Sequence, residues 1–274
     1  MSTGTMERPG RGSTLVALTL HTVWGQLRGV VVWGVILGLY GAAMVATFPS
    51  LGGAAQAEQM MNAYPQGMLE AFGIEDMGTV EGFLSGQFFN LAPLALAFFP
   101  MLALAGAIAG AEERGSIDIL LGNPVPRWQL VVGNALATGA SLLFIVALTG
   151  AITYWTALLL DVDLSLGAIT GAVLNLWPIC LFFGGMAMLC SAVFHRRVFA
   201  IVLPGVIMLG MYLLSALGNI SEDLEGYRRY SVFYHYGAAI TDGIDPVAFG
   251  GIVGFAVFFV GLAVLAFQRR DIYT

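Results

Sequence analysis

Three histidines, two cysteines and a small set of charged side chains are the residues of this 274-residue chain that could do chemistry. His21, His195 and His235 are too dispersed to predict a shared metal site. None stands in a pattern that suggests a nucleophile–base pair. Cys180 and Cys190 fall in one apolar stretch and, on a helix, would lie about 15 Å apart along its axis, far beyond disulfide reach. They read as small apolar packing residues. The chain has no His-Glu-x-x-His, no Gly-x-Ser-x-Gly and no pair of aspartates inside an apolar stretch. It also lacks Gly-x-x-x-x-Gly-Lys-[Ser/Thr], so a P-loop cannot drive anything from within this chain. The expectation is no catalytic residue, no metal and no cofactor of its own.

One segment does concentrate charge: Glu112, Glu113, Arg114, Gly115, Ser116, Ile117, Asp118, Ile119, Leu120, Leu121, Gly122, Asn123, Pro124, Val125, Pro126, Arg127. Its physics is that of a short helix held between two breakers. Ser116 can N-cap it, and Asp118 in the first turn complements the positive helix end. Ile117, Leu120 and Leu121, at i, i+3 and i+4, form one apolar face. Gly122-Asn123-Pro124 then stops it. An apolar face on such a turn needs cover, from the protein's own helices or from a partner. Glu112, Glu113, Arg114 and Arg127 flank it with charges suited to orienting a docked surface.

The elements that must carry this segment follow from composition. Hydrophobic residues make up 58% of the chain, charged residues only 10%, and mean hydropathy is +0.84. A soluble domain carries roughly 25% charged residues, so too little polar side chain is left here to cover a water-facing surface. The chain reads as an all-α membrane protein, a single transmembrane domain over 1–274. Six apolar stretches are long enough to cross a hydrocarbon core of about 30 Å: Gly29–Phe48, Phe88–Ala111, Leu130–Leu160, Ala168–Phe194, Val198–Leu217 and Pro246–Phe267. The third is over-long and should tilt or project. Residues 1–12 read as a flexible tail. Residues 14–28 read as an interfacial amphipathic helix, with Val16, Leu20, Val23, Trp24 and Leu27 on one stripe and Thr19, His21, Thr22, Gln26 and Arg28 on the remaining arc. A signal peptide is disfavoured because no small-x-small cleavage pattern follows. Pro93, Pro100, Pro178 and Pro204 should kink spans rather than end them. The pairs Gly34/Gly38 and Gly106/Gly110 should allow close helix packing. Between the spans, 49–87 and 218–245 should contain short helices at the interface.

Basic residues set the orientation. All eleven are arginines. Six spans put both termini on one side, together with nine arginines and five acids; the other side receives only Arg228 and Arg229, against twelve acids. Both termini are therefore expected in the cytoplasm, in a cell membrane crossed several times. Nothing in the net charge of −6 suggests nucleic acid. The spans carry no ionisable residue at mid-depth, only neutral groups such as Asn90, Thr138, Ser141, Thr149, Thr153, Asn175, Ser191 and Ser215. That weighs against an ion-coupled secondary transporter, which stays as an alternative beside a non-transporting scaffold or sensor.

The connector resembles that of permease subunits of ABC-2-type ATP-binding-cassette transporters. Those read acidic pair, Arg or similar, Gly-[Ser/Thr], short apolar helix, Pro-x-[Ser/Pro]-Arg, then a helix. Glu112, Glu113, Gly115, Ser116, Leu120, Leu121, Pro124 and Arg127 match in order and spacing. Phe267-x-Arg269-Arg270-Asp271 resembles the family's frequent ending. Asn134 departs from it, since members often carry a lysine there. The resemblance implies two permease subunits, identical or paralogous, that form a pathway through the lipid. Two separate ATPase subunits, holding ATP and Mg, would dock on coupling helices; here 115–121 would be that helix, braced by Glu112, Glu113 and Arg127. His195, Arg196 and Arg197 would be a second inner contact or a positive-inside anchor. The pathway would be lined by the second and fifth spans, with Phe88, Phe89, Phe98, Phe99, Met208, Met211 and Tyr212. An apolar, uncharged lining favours export of a hydrophobic or amphipathic molecule such as a drug, antibiotic or lipid.

Overall fold

The computed structural model describes residues 11–50, 78–115 and 126–270, and all regular secondary structure among them is helical. Lipid dictates this economy, because a spanning backbone must satisfy its own hydrogen bonds. Six helical units are long and apolar enough to cross a membrane, so the chain is a multi-pass membrane protein.

The first unit, α1, runs unbroken over Arg11–Ser50. At 1.5 Å per residue its 40 residues span about 60 Å. The expected boundary between an interfacial helix and a first span does not occur. Instead residues 14–50 run parallel to the third unit, α6 below, along nearly its full length. Leu18 packs at Gly133, the Gln26 side chain donates to Thr138 Oγ1 (3.1 Å), and Gly34 and Gly38 sit on Leu148 and Ile152. A Cβ at Gly34 would come within 2.8 Å of the Leu148 side chain, and one at Gly38 within 2.7 Å of Ile152. These glycines let the two backbones close up. The stripe Val16, Leu20, Trp24 points away from the protein.

The second unit is broken four times. It comprises α2 (Val80–Leu84), a π-helical turn (Ser85–Phe89), α3 (Ala92–Leu96), α4 (Phe98–Ala105) and, past a turn, α5 (Ala109–Glu113). It begins eight residues before the expected Phe88, where the Thr79 hydroxyl accepts from the Gly82 N–H (3.1 Å) as an N-cap. Pro93 and Pro100 remove ladder donors and account for the irregular course.

The remaining units follow the expected spans within three residues at each end: α6 (Arg127–Leu159), α7 (Leu166–Val193), α8 (Arg197–Ile220) and, after the loop, α12 (Pro246–Arg269). Between α8 and α12 lie α9 (Glu222–Glu225), a 3₁₀ turn (Arg228–Tyr230), α10 (Val232–Tyr236) and α11 (Ala239–Asp242). These short helices match the expectation for 218–245. Of 49–87, only 49–50 and 78–87 are described.

Helix α7 is the centre of the bundle, packed by α12, α4, α6 and α8. Its polar side chains are satisfied inside the protein, as burial requires: Asn175 donates to Tyr236 O (2.7 Å) and Trp177 Nε1 to Gly139 O (2.9 Å). Helices α8 and α12 are peripheral, with apolar faces turned outward. One end of the bundle gathers the start of α1, α5, the start of α6, the α7–α8 turn and the end of α12. The other end gathers α2 and α9–α11.

Candidate functional site

The termini end holds the charged residues that flank the connector. Here α4 ends at Ala105, and the turn at 106–108 leaves backbone groups without helical partners. Ser191, in the last turn of α7, fills the gap: its hydroxyl donates to Ala105 O (3.1 Å) and accepts from the Ala109 N–H (3.0 Å). Around this joint lies an apolar seat that includes Leu104, Ile108, Leu130, Val131, Met188 and Phe267.

Each flank of the connector is tied to other helices above that seat. Glu112 Oε2 accepts from Arg270 Nη2 at 2.5 Å, with the arginine side chain only 8% exposed and the carboxylate 21%. The same arginine donates to Ser191 O (3.3 Å) and Ala192 O (3.2 Å), capping the open carbonyls at the end of α7. His195 Nε2 approaches the other Glu112 oxygen at 4.0 Å. Glu113 Oε1 accepts from the Arg197 N–H (2.9 Å), at the first residue of α8, where a carboxylate complements the helix dipole. On the far flank, Arg127 donates to Phe267 O (3.1 Å) and Arg270 O (2.7 Å) and lies over the Phe267 ring. Arg114 donates to Gly106 O (3.4 Å). Gly115 leaves α5 with φ +65°, the left-handed residue that ends a helix and strains any side chain.

The charges flanking the connector thus each contact the protein's own helices, with Glu113 and Arg114 still exposed. Ser116, Ile117, Asp118, Leu120, Leu121 and Pro124 lie outside the described residues. His195 and Arg196 are exposed in the α7–α8 turn, but Arg197 is turned inward, with Nη2 on Leu102 O (3.2 Å). Its stem runs along Gly106 and Gly110. That glycine pair, expected to admit a helix, admits an arginine. Asn134 donates back to Leu130 O (2.8 Å) within its own helix.

At the opposite end a cavity of about 390 Å³ lies between α2, the π-helical turn, α8, α10 and α11. Two of the seven residues read as lining a pathway, Phe89 and Tyr212, border it. Phe88, Phe99 and Met208 are buried in the main core, Met211 packs against that core, and Phe98 points outward. Tyr212 donates to Asn90 Oδ1 (2.8 Å) and Tyr236 to Phe89 O (3.3 Å). Burial, with a smaller contribution from Cys180, pushes the Tyr236 phenol up from its ordinary range, so it stays a hydrogen-bond donor. Arg228, Tyr234, Asn219 and Asp242 complete the wall. Sequence reading missed this cavity because its residues come from distant stretches of chain, 82–90 and 212–242, with no common motif. Among the described residues there is no group of His, Cys, Asp and Glu that could hold a metal.

Fold and site define an all-α, multi-pass membrane protein in which both flanks of the connector and the start of α8 are tied to the bundle at one end. Its family follows from direct comparison. The chain belongs to the ABC-2 family of transporter proteins, whose family model matches residues 14–272. Comparison with curated proteins finds no match. Membership makes the chain a membrane component of a transporter and implies association with an ABC ATPase.

Proposed function

We propose that this chain is the permease subunit of an ATP-driven exporter of hydrophobic or amphipathic molecules, worked by an ATPase docked on the connector at 112–128. Two permeases would form the pathway, with both termini in the cytoplasm of a prokaryote. The observation that carries this reading is the anchoring of both connector flanks. A push on 116–125 reaches α12 through Arg127, the end of α7 through Glu112 and Arg270, and α8 through Glu113. Helices that share such joints re-pack as rigid bodies rather than bend, which is what alternating access requires. The joints need no ion to titrate in the membrane, in keeping with the neutral polar groups of the spans.

The test is reconstitution with the partner ATPase in proteoliposomes. ATP hydrolysis is expected to rise with an amphipathic cargo, and single cysteines from Ile117→Cys or Leu121→Cys are expected to cross-link to the ATPase. Transport that follows an ion gradient and persists without ATP would overturn the reading, as would a complex whose hydrolysis no amphiphile changes.

A further inference from the structure

The cavity at the end opposite the termini is where the fold leaves a cation unengaged. Its volume, about 390 Å³, falls within the roughly 300–1,000 Å³ of small-molecule sites. Aromatic rings supply much of the wall, and Tyr212, Asn90 and Tyr236 are already committed to each other or to backbone. Arg228 is not. Its guanidinium lies 5.2 Å over the Tyr234 ring, and its buried Nε has no partner. Among the described residues the only ion pairs are those of Glu112 with Arg270 and His195, so Asp242 at the exposed rim does not neutralise it.

Drawing an arginine partly out of water without a partner costs free energy, and the fold makes specific room for it. A Cβ at Gly218 would collide with the Arg228 stem, reaching Cδ at 2.7 Å. Glycine is a poor helix former, yet here it is what lets the arginine in. Gly237, on the cavity wall, holds φ +59° and brings Ala238 and α11 round to close the far side.

We propose that this cavity binds the anionic head of an amphiphile, a carboxylate or a phosphate, with Arg228 as its partner and the aromatic rings against the adjoining apolar portion. The planar guanidinium fork matches both anions. A neutral head would leave the cation unpaired, and a cationic one would be repelled. As a statement about cargo this rests on the export reading; as a statement about binding it does not.

The experiment uses the full chain in nanodiscs of phosphatidylcholine and measures equilibrium binding of four probes with one tail: laurate, dodecyl phosphate, dodecanol and dodecyltrimethylammonium. The two anions are expected to bind roughly tenfold or more tightly than the others, the worth of one charge-assisted hydrogen bond. Arg228→Gln should remove that preference without lowering the unfolding temperature, Arg228→Lys should keep part of it, and Gly218→Val should lose it by displacing the stem. Equal binding of all four probes, or a preference that survives Arg228→Gln, overturns the proposal. Adding phosphatidylglycerol to the discs separates two sources of the same chemistry: competition with laurate identifies a lipid headgroup, and its absence a diffusible cargo. Anion binding without ATP-driven export would remove the export reading and leave the site; export without anion binding would do the reverse.

Discussion

At the end of the bundle where the termini gather, every arginine that turns inward donates to a carboxylate or to backbone carbonyls; at the opposite end Arg228 meets only a ring. Arg127, Arg197 and Arg270 together take carbonyls of α4, α7 and α12, and Arg270 takes Glu112 as well. Arg228 lines a cavity instead. The same side chain therefore does two jobs. Where its Nη donors are taken up by carbonyls or a carboxylate of the chain itself, it fixes the position of helices. Where they are left over beside a cavity, it selects what enters.

The largest effect should come from breaking the matched end. Arg270→Ala strips a partner from Glu112 and caps from α7, and should cost roughly 2–4 kcal/mol, near that of splitting a buried ion pair. Thermal unfolding in detergent reads it. Adding Glu112→Ala should cost less than the sum of the two, because they share one interaction. Gly38→Val comes next, forcing a branched side chain against Ile152, at about 1–3 kcal/mol, and Gly254→Val, with open space beside it, should be milder. Ser191→Ala should cost about 1–2 kcal/mol by orphaning the Ala105 carbonyl and the Ala109 N–H. Smallest is Arg228→Gln, expected to change stability by less than about 0.5 kcal/mol, because Arg228 makes no hydrogen bond or ion pair with the described residues that the change would break. A loss at Arg228 as large as that at Arg270 would erase the distinction between the ends.

Much of the bundle was legible from residue types alone. Apolar runs located six spans, and the last four were placed within three residues at each end. The first was misdivided for a physical reason. Gln26 read as part of a polar arc, yet it bonds to Thr138 inside the protein, while Leu15 and Leu18, which lie outside the apolar stripe, are the packing face at Gly133. Polarity in a membrane helix can mean a neighbour rather than solvent. The connector's flanking charges were also legible, but not the partners of Glu112, Glu113 and Arg127, which lie 83 to 158 residues away. Ser191 read only as a neutral polar group, since nothing local reveals that it repairs a broken helix. The cavity had no signature at all, because its chemistry exists only once α2, α8 and α10 meet.

The parallel seam between α1 and α6 has a mechanical corollary. Side chains of one helix sit in glycine notches of the other from Leu18 at Gly133 to Gly38 at Ile152. Sliding lengthwise would lift each out of its notch, and packed interiors resist that. Shear is blocked, while tilting of the pair is not. The two helices then act as one strut, and a small displacement beside Arg127 becomes a sideways swing at Ser50. A lever of about 60 Å can turn a short stroke on one face of a membrane into a wide one on the other.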